Sequence, residues 1–269
     1  MRVPFIKMHG LGNDFVVLDA RADSLPSMAP TTARALADRR EGIGCDQVIV
    51  LEPSDIAAFR MRIFNSDGGE VEACGNASRA VALLHGEPAQ VETAGGTIAL
   101  RPADDGATVD MGVPTFDWAS IPLDYAMDTA SIPVSWGELA NPIAVNVGNP
   151  HAVFFVESSD AVELAELGPQ IETDPLFPEG VNVNVASLAG PDHLRLRVWE
   201  RGAGLTRACG TGACATAVAA MQRGLVGRTA TVTLPGGDLT ITWTDEDRVL
   251  MTGPATEAYR GSFEWNDFG

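Results

Sequence analysis

Lysine is almost missing from this sequence. Its 269 residues include eighteen Lys and Arg together, and Lys7 is the only lysine. A pyridoxal phosphate enzyme needs a Schiff-base lysine. Lys7, in an expected N-terminal strand, would be the sole choice, so the sequence argues against that cofactor. Positive charge is scarce altogether: 36 acidic residues give a net charge of −18. That sign does not suit a phosphate backbone, so no nucleic-acid partner is expected, and the surface reads as a solvated acidic shell. No run is long and apolar enough to span a membrane. MRVPFIKMHGLGNDF, at the N-terminus, has a charge and turn residues where a signal peptide carries an apolar run. A soluble, cytoplasmic protein is expected. Cysteine occurs only at 45, 74, 209 and 214, with no C-x-x-C, which speaks against a disulfide framework, a zinc ribbon or a thioredoxin-like motif. No metal is expected. GLG (10–12) and GIG (42–44) lack the third glycine of a dinucleotide fingerprint.

What the chain does contain is a repeat. FRMRIFNSDGGEVEACGN (59–76) aligns without a gap on LRLRVWERGAGLTRACGT (194–211). Six of the 18 positions are identical, where average composition gives about one. The same offset carries Gln47 onto Asn182, and offsets close to it carry Gly12-Asn13 onto Gly148-Asn149 and TAGGTIAL (93–100) onto LPGGDLTI (234–241). The period is too long for a solenoid and indicates two copies of one fold. FRMRIF and LRLRVW alternate as half-buried strands do, and DFVVLDA, QVIVLEP, TIALRP, AVFFVES, VNVNVAS, TVTLPGG and LTITWT are further strand candidates. TTARALADRR (31–40) and DAVELAELG (160–168) read as surface helices. ASRAVALL (77–84) and ACATAVAAM (213–221) are apolar nearly all round, hence buried on every side. The economical architecture is α+β: two similar domains, each a sheet wrapped around one central helix. The expected domains are 1–117 and 118–261, with 262–269 returning to the first as a strand.

Cys74 and Cys209 occupy the same place in the two copies, just before these buried helices. Unpaired N–H groups and the helix dipole favour an anion there, so both thiols are expected to have a lowered pKa. Cys45 and Cys214 read as small core residues. Two such thiols suit inversion of a stereocentre: a thiolate removes the proton from one face and a thiol delivers one to the other. The helix N-termini would hold the neighbouring carboxylate as the carbanion forms, and no cofactor is required. A dithiol redox pair is the competing chemistry.

The motifs MHGLGNDFVVLD (8–19), GIGCDQ (42–47), IFNSDG (63–68), ACGN (73–76), GNPHAV (148–153), VNV (181–183), ERGAG (200–204), ACGTGACA (208–215) and LPGG (234–237) together resemble the diaminopimelate epimerase family. The resemblance runs through essentially the whole chain. It implies an isomerase that interconverts LL- and meso-diaminopimelate in lysine and peptidoglycan precursor synthesis, without a cofactor, in a cleft between two domains. It implies Cys74 and Cys209 as the acid/base pair, and backbone at Gly75, Asn76, Gly210 and Thr211 holding the reacting carboxylate. Asn13 and Gln47 would lie near the reacting centre. Asn65, Asn149, Asn182 and Arg201 would reach the distal carboxylate, Glu200 the distal ammonium, with His151 and Glu200 beside the thiols. Neutral amides plus one bidentate Arg suit a substrate with two zwitterionic ends. A homodimer is left open.

Taken residue by residue, other readings stand. Asn13 and Asn65 also fit turns, His151 a structural histidine, and Glu200 with Arg201 a surface ion pair. A proline or broad amino-acid racemase, or a ligand-binding protein on the same scaffold, is the alternative function. The sequence departs from the family at Ala77-Ser78, where Gly-Ala is usual, at Cys45, where Phe is usual, and at Ala80, where Cys is common. Alanine at 77 restricts the backbone that approaches the carboxylate, and Cys45 thins the packing near Gln47.

Overall fold

The computed structural model describes residues 1–72, 74–103 and 106–268. The chain divides into two compact units, 1–109 with 252–269, and 110–251. The first crossing falls eight residues before the position expected from the sequence and the return ten residues before.

The first unit runs β1 (Arg2–Gly10), β2 (Asn13–Asp19), α1 (Pro30–Ala37), β3 (Gln47–Glu52), β4 (Phe59–Asn65), β5 (Glu70–Val71), α2 (Gly75–His85), β6 (Ala89–Thr93), β7 (Gly96–Ala103) and β8 (Gly106–Asp110). The second follows with β9 (Ser135–Trp136), β10 (Leu139–Ala140), β11 (Ile143–Asn146), β12 (Pro150–Phe155), α3 (Leu164–Glu172), β13 (Asn182–Gly190), β14 (His193–Glu200), β15 (Gly204–Thr206), α4 (Gly210–Gln222), β16 (Thr229–Leu234), β17 (Gly237–Trp243) and β18 (Val249–Gly253). The chain then returns to the first unit as β19 (Thr256–Glu264), antiparallel to β1 from Arg2↔Glu264 to His9↔Thr256.

The duplication holds pairing by pairing. β1 and β2 are antiparallel, as are β11 and β12. β2 is parallel to β3, and β12 to β13. β3 is antiparallel to β4, and β13 to β14. The short β5 and the parallel β6 share one edge of β4, as β15 and β16 share one edge of β14. Each parallel pair needs a crossover. α1 or α3 supplies the first and α2 or α4 the second.

Each sheet is covered on both faces. In the first unit, α1 contributes Ala33, Leu36 and Ala37 to a core with Val16, Leu18, Val48, Val50 and Phe64. In the second, Leu164 and Ile171 of α3 join Ala152, Phe154, Val183 and Val185. The opposite faces receive α2 and α4. Every residue from Gly212 to Ala220 is buried, and the small side chains there let the sheet close around the helix on all sides. α2 is buried from Gly75 to Ala82 and ends at Gly86, whose φ of 80° gives the left-handed C-cap.

α3 begins four residues later than its apolar pattern suggests. Arg197 donates from Nη1 to the carbonyls of Ser159 and Val162, at 3.0 and 2.7 Å. Those acceptors are therefore held by a side chain, and only a single 3₁₀ turn (Ser159–Ala161) precedes the helix.

Candidate active site

Cys74 and Cys209 are the N-cap residues of α2 and α4. Both have extended backbone, with φ/ψ of −149/108° and −126/107°. Each sulfur accepts from the third N–H of its helix, Ala77 N at 3.5 Å and Gly212 N at 3.3 Å. A side chain at the N-cap normally takes one of the four N–H groups that have no intrahelical acceptor. Here a thiol does so, which leaves Gly75, Asn76, Gly210 and Thr211 ahead of it in the first turns. The departure at Ala77 is accommodated, since its N–H reaches the Cys74 sulfur from a fully buried position. The second copy has less room: a Cβ on Gly212 would stand 3.0 Å from Val198 Cγ2 and 3.2 Å from Cys209 Sγ.

In the first unit, Asn13 links the thiol to the helix. Its Oδ1 accepts from Asn76 Nδ2 at 3.1 Å and from Cys74 Sγ at 3.9 Å, while its Nδ2 donates to Asp46 at 2.9 Å. Asn76 in turn accepts from Arg79 Nη2 at 3.0 Å. Arg79 is completely buried and also donates to the carbonyl of Pro254. In the sequence, Arg79 looks like the wet edge of an otherwise apolar helix. Spacing offered a signal, since Arg79 lies one turn after Asn76. Gln47 donates to Asn65 Oδ1 at 2.9 Å. Its own Oε1 is buried without a partner among the described residues. Beneath Asn13, Asp14 is bound by Lys7 and Arg39. Burial opposes its ionisation, but these two cations outweigh it and hold the carboxyl well below the usual range. The one lysine is thus a buried structural counter-ion, bonded also to the carbonyl of Gly44.

In the second unit, Glu200 accepts from Thr206 and also bonds the Cys209 thiol. The Thr211 hydroxyl lies 3.5 Å from the same sulfur. His151 is fully buried between Asn184 and Asn149. Burial pushes its pKa down to about 4, and the charge of Arg201 adds to the shift, so the ring is neutral at pH 7. Asn182 donates to the Pro150 carbonyl at 2.8 Å and accepts from the Arg201 backbone at 3.0 Å. It therefore fixes the β12 and β14 ends against each other. The Arg201 side chain is exposed and donates to the carbonyl of Glu179. Cys45 and Cys214 are both buried, and burial pushes the Cys45 thiol up to about 11.

The expected lowering of both thiols fails at Cys209. Burial, then the negative charge of Glu200, raises its pKa well above the ordinary thiol value, against the opposing bonds from Thr211 and Gly212. Only 3% of Cys209 is accessible, whereas Cys74 is part-exposed. A raised pKa lowers the thiolate fraction at neutral pH, and the thiolate is the nucleophile. Iodoacetamide at pH 7 should modify Cys74 before Cys209, with Cys45 and Cys214 slowest. Peptide mapping over time checks the order, and equal rates at 74 and 209 would contradict it.

Among the described residues no three His, Cys, Asp or Glu cluster as a metal site, and no helix is long and apolar enough to cross a membrane. The family model described as diaminopimelate epimerase matches residues 5–116 and 143–257. A diaminopimelate epimerase from Erythrobacter litoralis is 72% identical over 268 residues, covering 100% of both chains. One from Sphingopyxis alaskensis is 62% identical over 265 residues, covering 98% of each. Among solved structures, a phenazine biosynthesis protein of the PhzF family from Bacillus anthracis superposes with a TM-score of 0.72 at 14% identity, over 98% of this chain and 99% of that one. A hydroxyproline epimerase from Agrobacterium vitis does so with a TM-score of 0.65 at 20% identity, over 97% and 92%. At those identities the two structures speak for the fold, while the sequence matches go further: with two N-cap thiols on a duplicated fold, this chain belongs to the diaminopimelate epimerase family.

Proposed function

We propose that this chain interconverts LL- and meso-diaminopimelate without a cofactor, with Cys74 and Cys209 as the acid/base pair. The observation that carries the reading is the repeated N-cap thiol, one per copy, each bonded to the first turn of a buried helix. Burial and Glu200 keep Cys209 protonated in the ligand-free chain, so it is the acid in the direction that begins with the part-exposed Cys74 as base. Cys74 takes the α-proton, and Cys209 gives its own proton to the opposite face of the same carbon. The reverse reaction exchanges the roles. As the carbanion forms, charge spreads into the α-carboxylate, and first-turn N–H groups of the two helices are suited to hold it. The same reading puts the enzyme in the cytoplasm, in lysine and peptidoglycan precursor synthesis.

The test is exchange in D2O. After dialysis against a chelator, the protein incubated with LL-diaminopimelate should replace the α-hydrogen by deuterium as the meso form appears, followed by NMR. Exchange that starts only after pyridoxal phosphate or a metal is added would overturn the reading.

A further inference from the structure

His151 is held by the amides of two asparagines, Asn184 and Asn149, and the first settles its protonation. His151 lies on β12 and Asn184 on β13, two parallel strands in register as His151↔Asn182 and Val153↔Asn184. Alternation along a strand puts His151 and Asn184 on the same face of the sheet. That face receives α4, since the Asn184 amide nitrogen donates to the Gly212 carbonyl at 3.1 Å and to Thr216 Oγ1 at 3.2 Å. Asn184 is completely buried. The carbonyl of Gly212 can only accept, so the N–H2 end of the amide must face it and Oδ1 must face the other way. Oδ1 lies 3.3 Å from His151 Nδ1. An amide oxygen has no hydrogen to give, so the hydrogen of that contact is on Nδ1.

The consequence passes to the other ring nitrogen. A neutral imidazole with Nδ1–H has only a lone pair at Nε2. Asn149 Oδ1 lies 2.9 Å from Nε2, and two acceptors do not bond. A half turn of the Asn149 amide, which exchanges groups of nearly equal size, puts its N–H2 against Nε2. The Asn149 oxygen is then directed away from the ring, available to a donor.

We propose that Asn184 is a positioning residue of the epimerase reaction. It fixes His151 as the neutral Nδ1–H tautomer, and it ties that ring to Gly212, the residue whose N–H bonds the Cys209 sulfur. His151 and the Cys209 turn are thereby set by one amide. The catalytic part of this statement rests on the proposed epimerase function; the tautomer does not.

The experiment reads the two parts separately. The chain has four histidines. Two-bond ¹H–¹⁵N correlation spectra of histidine-labelled protein, assigned with His151→Gln, should show His151 with a protonated Nδ1 and a bare Nε2, unchanged from pH 8 to pH 5.5. In Asn184→Leu, which removes the acceptor, the ring should shift partly or wholly to the Nε2–H form. Asn184→Asp keeps the shape and the acceptor, loses the donor to the Gly212 carbonyl and adds a negative charge. It should hold the Nδ1–H form and raise the His151 titration midpoint by about one unit or more. The groups facing the ring are Asn184 from β13, Asn149 before β12 and, as the charged group, Arg201 after β14, so the new carboxylate would be the only anion of this set. In epimerisation, Asn184→Leu should lower kcat about tenfold to a hundredfold with a smaller change in KM, as a misplaced reacting group does. A protonated Nε2 in the wild-type ring overturns the proposal outright, even if Asn184→Leu fails to fold. So does an Asn184→Leu variant with the tautomer and kcat of wild type. A chain with the expected tautomer that exchanges no diaminopimelate overturns the function instead.

Discussion

Replacing either Cys74 or Cys209 by alanine should lower epimerisation by about 10² to 10⁴-fold, the usual cost of losing a positioned acid or base. In the two-base reading neither thiol can substitute for the other, because each serves one face of the α-carbon. The two variants should differ in one respect. Cys74→Ala should leave the buried Cys209 thiol protonated, with no base to start the direction that Cys74 begins. Cys209→Ala retains that base, so slow α-hydrogen exchange without inversion should survive in D2O. Cys45→Ala and Cys214→Ala should keep most activity, at some cost in stability for two buried side chains. The comparison is made by polarimetry or coupled assay for inversion and by NMR for exchange. A Cys74→Ala protein that inverts at the wild-type rate ends the two-base mechanism.

The second large effect is in substrate choice. Wild-type protein should turn over lysine or proline at about 10⁻⁴ of the diaminopimelate rate, because a site built to bond a polar group rejects a molecule lacking it. The residues proposed for the distal end have donors to spend. Asn65 receives Gln47 at its oxygen, which leaves its N–H2 for a carboxylate. Nearer the reacting centre, Gln47 Oε1 is an acceptor, buried and unpartnered among the described residues. A ligand without the matching group leaves such atoms unpaired, at about 1–3 kcal/mol each. Arg201→Met removes a charged donor and should reduce diaminopimelate turnover by about ten- to a hundredfold, with residual lysine turnover nearly unchanged. Racemisation of lysine or proline within tenfold of diaminopimelate would make a broad amino-acid racemase the better description.

Where the sequence was readable, it was readable through periodicity and repetition. The alternation of FRMRIF and LRLRVW places β4 and β14, and the matched ACGN and ACGT place the two thiols at helix starts. What escaped depends on contacts remote in sequence. β19 has five successive exposed residues, Thr256 to Arg260, so its first half shows no strand pattern, and only its end, 262–264, falls in the stretch expected to return; its partner β1 supplies the order of the rest. The start of α3 is set by Arg197, thirty-odd residues away. The Cys209 pKa follows burial and the nearby Glu200, whereas the dipole argument sees only the helix itself. Asn184 was the nearest miss. The run VNVNV puts Asn182 and Asn184 on one face, and nothing in it tells that the first spends its bonds on backbone while the second reaches the histidine.

The pairing of β1 with β19 also orders events at the ribosome. The second unit is one continuous stretch, 110–251, and can complete its sheet while the rest is still being made. The first unit cannot, because β1 waits for residues as far on as Glu264. At about 5–20 residues per second of synthesis, the oldest strand stays without this neighbour for about 12 to 50 seconds. α2, which carries Cys74, packs against β1 and β19. Deleting β19 should therefore impair the first thiol's setting and spare the second, since the strand belongs to the first unit alone.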